Sequence, residues 1–169
     1  MQRVKLSPNF YLDELVCPEM YQHFGEKARW FIRPEAIRIL QHLRDRFRIM
    51  TINNWSQYGT VSAEMYLAFD SAIALKYFTQ SGLRPWFITI DGKQLLNPVG
   101  AQFSQHKFGS AFDPKFTNAT PAEVRLDIIK HFASTYKPLG LTTIEANTKG
   151  WLHFDCRNTN LNELFIVYP

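Results

Sequence analysis

Cysteine is scarce in this chain of 169 residues: only Cys17 and Cys156 occur, and they form no CxxC pair of the kind that carries redox or zinc chemistry. Free or buried thiols in a reducing compartment are therefore expected, with a Cys17–Cys156 disulfide as the alternative. Long apolar runs are also missing. No eighteen consecutive apolar residues occur to span a bilayer, and the opening "MQRVKLSPNFYLDELVC" lacks the apolar stretch of a signal peptide. These absences predict cytoplasmic synthesis without a signal peptide and no membrane partner. There is no internal repeat, low-complexity tract or proline-rich linker. Nor is there a basic run, so the formal net charge of +4 and pI near 9.1 do not make a nucleic-acid-binding protein.

What is present is apolar and aromatic. With 46% hydrophobic and 20% charged residues, the chain has material for one core, and a single domain over residues 1–169 is expected. Fourteen Phe, seven Tyr and four Trp supply core volume and contact platforms. The modest basic excess suits anionic partners, bacterial wall polymers among them. "RPEAIRILQHLRDRF" places Ile37, Leu40, Leu43 and Phe47 at helical spacing after Pro34, and "TPAEVRLDIIKHFASTY" opens on a Thr120–Glu123 capping box before a Val124, Ile128, Phe132, Tyr136 stripe. His42 and His131 lie on these helices as polar-face residues. Residues 61–79 also read as helical. "RIMTINNW", "FGSAFDPKF", "GLTTIEA", "GWLHFDCR" and "ELFIVYP" read as strands. The expected class is α+β, a small mainly antiparallel sheet flanked by helices.

The chemistry concentrates in "FSQHKFGSAFDPKF", residues 103–116. On a strand Gly109, Ala111 and Asp113 share one face while Phe108 and Phe112 take the other. Fully extended, His106 would lie roughly 23 Å from Asp113 and on the opposite face. Both serve one site only if the chain bends, and Gly109 is the residue that permits it. In "KGWLHFDCR", Trp151, His153 and Asp155 share one face, with Leu152, Phe154 and Cys156 on the other. His106, Asp113 and His153 together make an adequate set of ligands for Zn²⁺.

"SQHKFGSAFD" followed by "WLHFD" resembles the motif pair S-x-H-x-x-G-x-A-x-D and H-x-D of the peptidase M15 family, zinc D-Ala-D-Ala carboxypeptidases and L-alanyl-D-glutamate endopeptidases that share a fold with the Hedgehog signalling domain. The resemblance implies zinc held by His106, Asp113 and His153, and a Hedgehog/DD-peptidase-like fold. "SGLRP" resembles the family's S-G-x-R element, which implies that Arg84 holds a substrate carboxylate; a planar guanidinium does so through two parallel hydrogen bonds. Ser104 and Trp151 are further substrate-binding candidates, and Trp55 and Trp86 are candidates for the groove wall. "LSPNFYLDEL" resembles a segment that precedes this domain in phage and bacterial members, so the likeness runs over residues 6–157.

Two departures from the family pattern bear on activity. Several family members carry an acidic residue three positions before the last histidine ligand, where this chain has Gly150. The catalytic base must then come from elsewhere or be absent; Glu145 and Asp155 are the candidates, and a one-residue shift in hairpin register would move Glu145 to the other face. The connection over residues 58–80 is also longer than in related sequences, with a helical insertion at 61–79 expected. The leading expectation is a zinc metallopeptidase that cleaves peptidoglycan stem peptides at the bacterial wall, a phage endolysin or virion-associated hydrolase. The rival is a non-catalytic zinc-binding module, such as a phage tail component that contacts other phage structural proteins.

Overall fold

The computed structural model describes residues 3–59, 77–90 and 92–168, which form a small α+β domain. Nearly all of the helix expected at 61–79 lies outside these residues, and the described positions 77–79 are irregular. In chain order the elements are α1 (Leu12–Leu15), α2 (Pro18–Phe24), a 3-10 segment (Gly25–Phe31), α3 (Pro34–Phe47), β1 (Met50–Thr51), a 3-10 turn (Trp55–Gln57), β2 (Phe87–Ile90) and β3 (Lys93–Leu96). A third 3-10 turn (Gln105–Phe108), β4 (Ala111–Phe112), β5 (Lys115–Phe116), α4 (Pro121–His131), a π-helical turn (Phe132–Tyr136), β6 (Thr143–Glu145), β7 (Phe154–Asp155) and β8 (Phe165–Val167) follow. Among the described residues, no helix is long and apolar enough to cross a membrane.

The two expected helices form where capping and periodicity place them. Pro34 occupies the first turn of α3, whose core face is Ala36, Ile39, Leu40 and Leu43, with Ile37 and Phe47 at its margin. At the start of α4 the Thr120 hydroxyl accepts from Glu123 N, and the Glu123 carboxylate accepts from Thr120 N. Val124, Ile128, Phe132 and Tyr136 repeat every four residues, so on a straight α-helix their stripe would drift by about 40° per step. The wider π turn takes up this drift: Lys137 N reaches back five residues to Phe132 O, and Val124, Ile128 and Tyr136 are all fully buried. The buried Tyr136 hydroxyl donates to Asp127 at 2.6 Å, and Arg46 of α3 pairs with the same carboxylate, which ties the two helices together.

The central sheet has strand order β4-β7-β6-β8, with β4–β7 and β7–β6 antiparallel and β6–β8 parallel. Phe112, Ile144 and Phe154 point from its three adjacent strands into the core and are fully buried. Each contributes about 1.5–3 kcal/mol by leaving water. "FGSAFDPKF" is not one strand. It divides into β4 and β5, and β5 pairs with β1 in a separate two-stranded sheet. Pro114 at the division has no N–H to continue the ladder. β2 and β3 form a hairpin not anticipated from the sequence, although Asp91-Gly92 between two runs of strand-forming residues is a strong turn signal. Cys17 and Cys156 are both buried, with no disulfide between them.

Gly109 produces the bend that the quoted stretch requires. Residues 105–108 turn as a 3-10 helix rather than extending as a strand, and Gly109 leaves that turn with φ of +65° in the left-handed region. A Cβ there would lie 1.8 Å from the carbonyl oxygen of Phe31, and Gly109 O accepts from Arg33 N. Gly109→Ala combines a left-handed backbone penalty of about 1–2 kcal/mol with a steric collision against backbone, so urea denaturation should show a loss larger than that penalty alone.

Candidate metal centre

Sheet register assembles the site. Ala111 lies opposite Asp155 and Phe112 opposite Phe154, so Asp113, one step beyond β4, falls beside His153, one step before β7. On the other side of β7, Thr143 lies opposite Asp155 and Ile144 opposite Phe154, and Glu145 N donates to His153 O at 3.1 Å. Residues opposite one another across antiparallel strands share a face. Asp113, His153 and Glu145 therefore form a row across one end of the sheet, with Ala111, Asp155 and Thr143 behind it. Phe112, Phe154 and Ile144 occupy the buried face beneath.

His106 joins this row from the turn ahead of Gly109. Its Nε2 lies 3.2 Å from Asp113 Oδ2 and 3.3 Å from His153 Nδ1, while His153 Nδ1 lies 2.8 Å from Asp113 Oδ1. All three residues are buried, at 2%, 8% and 6% exposure for His106, Asp113 and His153. Donor atoms around a tetrahedral zinc at about 2.0–2.1 Å stand about 3.3 Å apart, and these separations, each taken to the nearer Asp113 oxygen, are close to that spacing. The group could hold a metal ion.

The second nitrogen of each imidazole supports that fit. His106 Nδ1 donates to the Gly82 carbonyl at 3.0 Å, which leaves Nε2 with its lone pair directed at the other ligands. His153 Nε2 faces Asp155 Oδ2 at 3.4 Å, and Arg157 grips both oxygens of Asp155 at 2.5–3.0 Å. A histidine ligand oriented by a carboxylate is a recurrent feature of metal sites, because the outer partner sets the tautomer. Asp155 is fully buried, and it serves as that partner in this geometry.

The charges follow the geometry. Burial and the neighbouring Arg84 push the His106 pKa down to about 4. Burial alone would lower His153 as well, but its hydrogen bonds to Asp113 and Asp155 and the charges of Asp113 and Glu145 push it up to about 10. Burial would raise Asp155, but hydrogen bonds from His153 and Arg157 bring it down to about 2. Asp113 is held well below the ordinary carboxylate range: its two histidine partners outweigh the cost of burial.

Of the other sequence candidates, Arg84 is buried beside the ligands, its Nη2 donating to Asp113 Oδ2 at 3.3 Å and its Nε to Gln80 O. Gly100, with φ of +74°, lets the chain cross this guanidinium: a Cβ there would sit 2.6 Å from Arg84 Nη1 and 3.5 Å from the Ser104 hydroxyl oxygen. Ser104 thus adjoins Arg84 at the start of the His106 turn. Trp151 is 37% exposed two residues before His153, in a turn braced by Thr148, whose hydroxyl donates to Trp151 O and accepts from Arg125. Trp55 is not at this site. Its Nε1 donates to Val16 O, and it lines a separate cavity with Asp13 and Tyr21. Trp86 packs between Phe103 and Phe108 on the flank of the His106 turn.

Two residues of the centre were not read from the sequence, and one signal would have found both: each lies two positions beyond a residue already singled out. Arg157 follows Asp155 in this way, and Lys115 follows Asp113. Lys115 Nζ donates to the Ser81 hydroxyl at 2.5 Å and to Asp113 O at 3.3 Å. Comparison with family models, curated proteins and solved structures found no match to this chain.

Two expected outcomes follow from the ligand geometry. Asp155→Asn should weaken zinc affinity by about 10–100-fold in a competitive chelator titration, whereas Glu145→Gln should leave it unchanged. In the metal-free protein a proton occupies His153 Nδ1 up to about pH 10, and coordination must displace it. Zinc uptake at pH 7–8 should therefore release about one proton, and affinity should rise with pH; calorimetry in buffers of different ionisation enthalpy measures both.

Proposed function

We propose that the chain is a zinc metallopeptidase of the M15 type, with a Hedgehog/DD-peptidase-like fold, that cleaves the stem peptides of bacterial peptidoglycan. The observation that carries this reading is the row of Asp113, His153 and Glu145 on one sheet face, closed by His106, in a chain whose motifs match that family's ligand pattern. A zinc ion held there supplies Lewis acidity, polarising a peptide carbonyl and acidifying water.

The chain's own residues do the remaining work. Glu145 is the base: its carboxylate has no hydrogen-bond or ion-pair partner among the described residues, and it is only half-buried. It takes the proton of the attacking water and returns it to the leaving amine. Asp155 cannot do both this and its positioning task, because His153 and Arg157 already occupy its oxygens. Arg84 fixes the peptide through a carboxylate, and Trp151 and Ser104 bound the cleft. A wall hydrolase made by a phage, released at lysis or carried in a particle, is the setting this reading favours.

A second reading, a zinc-bearing structural module without turnover, draws on Gly150, which stands where related peptidases carry an acid. One experiment separates the two. Purified peptidoglycan is digested with zinc-loaded protein, and the products are read by mass spectrometry beside the His106→Ala and Glu145→Gln variants. New stem-peptide termini from the wild type, lost in both variants while Glu145→Gln still holds zinc, are the expected result. Absence of cleavage across several wall chemotypes by zinc-loaded protein would favour the structural module.

A further inference from the structure

The charges around the ligand set contain an imbalance. Arg84, Lys107, Lys115 and Arg157 surround Asp113, Asp155 and Glu145, four cations against three carboxylates. Arg84 pairs with Asp113 and Arg157 with Asp155. Lys107, which donates to Asn97 O beside the Trp86 ring, and Lys115 are left over, and of the two it is Lys115 that adjoins Asp113. Among the described residues no carboxylate lies within 4.0 Å of its ammonium, which contacts the Ser81 hydroxyl and the Asp113 backbone carbonyl and sits 4.3 Å above the Phe78 ring. A hydroxyl, a carbonyl and an aromatic face solvate an ammonium without neutralising it. Partly burying such a charge is costly without a counter-ion. With both histidines neutral, a divalent ion at the ligands would leave this small region with three surplus positive charges, and the unpaired carboxylate, Glu145, lies on the far side of His153.

We infer that Lys115 is a specificity residue: it takes a substrate carboxylate on the Asp113 side of the centre, in addition to the one held by Arg84. The preferred ligands are then peptides with two free carboxylates near the scissile bond, and amidating one of them removes the preference. This inference rests on the peptidase reading above and narrows its substrate class. The geometry supports a site and not a bystander for two reasons. Lys115 is held at the end of a two-residue strand directly after Asp113-Pro114, and it is partly open to solvent. Its partner Ser81 also accepts Asp113 N through its backbone carbonyl, so the ammonium and the Asp113 ligand are fixed to one scaffold.

The test is a binding measurement that needs no turnover. Zinc-loaded full-length protein is titrated with N-acetyl-D-glutamate, which has two carboxylates, and with N-acetyl-D-isoglutamine, in which one is an amide. The wild type should bind the dicarboxylate at least about tenfold more tightly, as expected for one charge-assisted hydrogen-bonded pair. Lys115→Met should reduce that preference to within about twofold with no change in zinc content or in affinity for the monoamide, and Lys115→Arg should keep most of it. A preference that survives in Lys115→Met, an equal loss for both probes, or failure of the zinc-loaded wild type to bind either probe would overturn the proposal. A purely structural lysine would lower the urea midpoint and leave the ratio of the two affinities alone. Peptidoglycan digestion decides the peptidase reading independently: cleavage without the carboxylate preference removes only the role of Lys115.

Discussion

The candidate centre depends on one constraint, the placement of β7 between β4 and β6 in a single register. Phe112, Phe154 and Ile144 fill the core from three neighbouring strands. Because side chains alternate along a strand, burying those three residues forces Asp113, His153 and Glu145 onto the opposite face, in a row. A slip of β7 by one residue would turn Phe154 out of the core and drive His153 and Asp155 into it. The apolar core thus pays for the polar site's precision, and this coupling explains how strands of only two or three residues can hold ligands at separations near 3 Å.

A second layer fixes what the sheet alone leaves loose. His106 comes from a turn outside the sheet, and its position is determined from three sides: the Gly82 carbonyl receives its Nδ1, its own carbonyl accepts Arg84 N, and Gly109 packs against the backbone at Phe31. Asp155 and Arg157 do the same for His153. Each imidazole is thereby held in the tautomer that presents a lone pair to the ligand cluster once His153 has lost its extra proton. In the metal-free protein that proton and the Asp113 carboxylate stabilise one another, so the site remains organised without an ion.

Much of this was legible in the residues. Periodicity, the Thr120–Glu123 capping box and Pro34 located α3 and α4, because such signals act within a few turns of chain. The alternation of Phe112 with Ala111 and Asp113, and of Phe154 with His153 and Asp155, correctly separated a core face from a chemical one. The strand expected over 108–116 starts only at Ala111, since Phe108 closes a 3-10 turn and Gly109 is held by contacts with Phe31 and Arg33, more than seventy residues away. The split of β4 from β5 had a local cause in Pro114. The β2–β3 hairpin had one in Asp91-Gly92.

By itself the sequence determined the candidate ligand residues, the strand faces of Asp113 and His153 and the need for a bend at Gly109, because these follow from side-chain chemistry and strand alternation. Tertiary structure decided the rest: that Glu145 stands opposite His153, that Asp155 is engaged with Arg157, that Trp55 lies elsewhere, and that Lys115 has no carboxylate beside it among the described residues. Those facts depend on how segments distant in the chain pair and pack, and inter-strand register is set by burial of the whole core, not by any local run of residues.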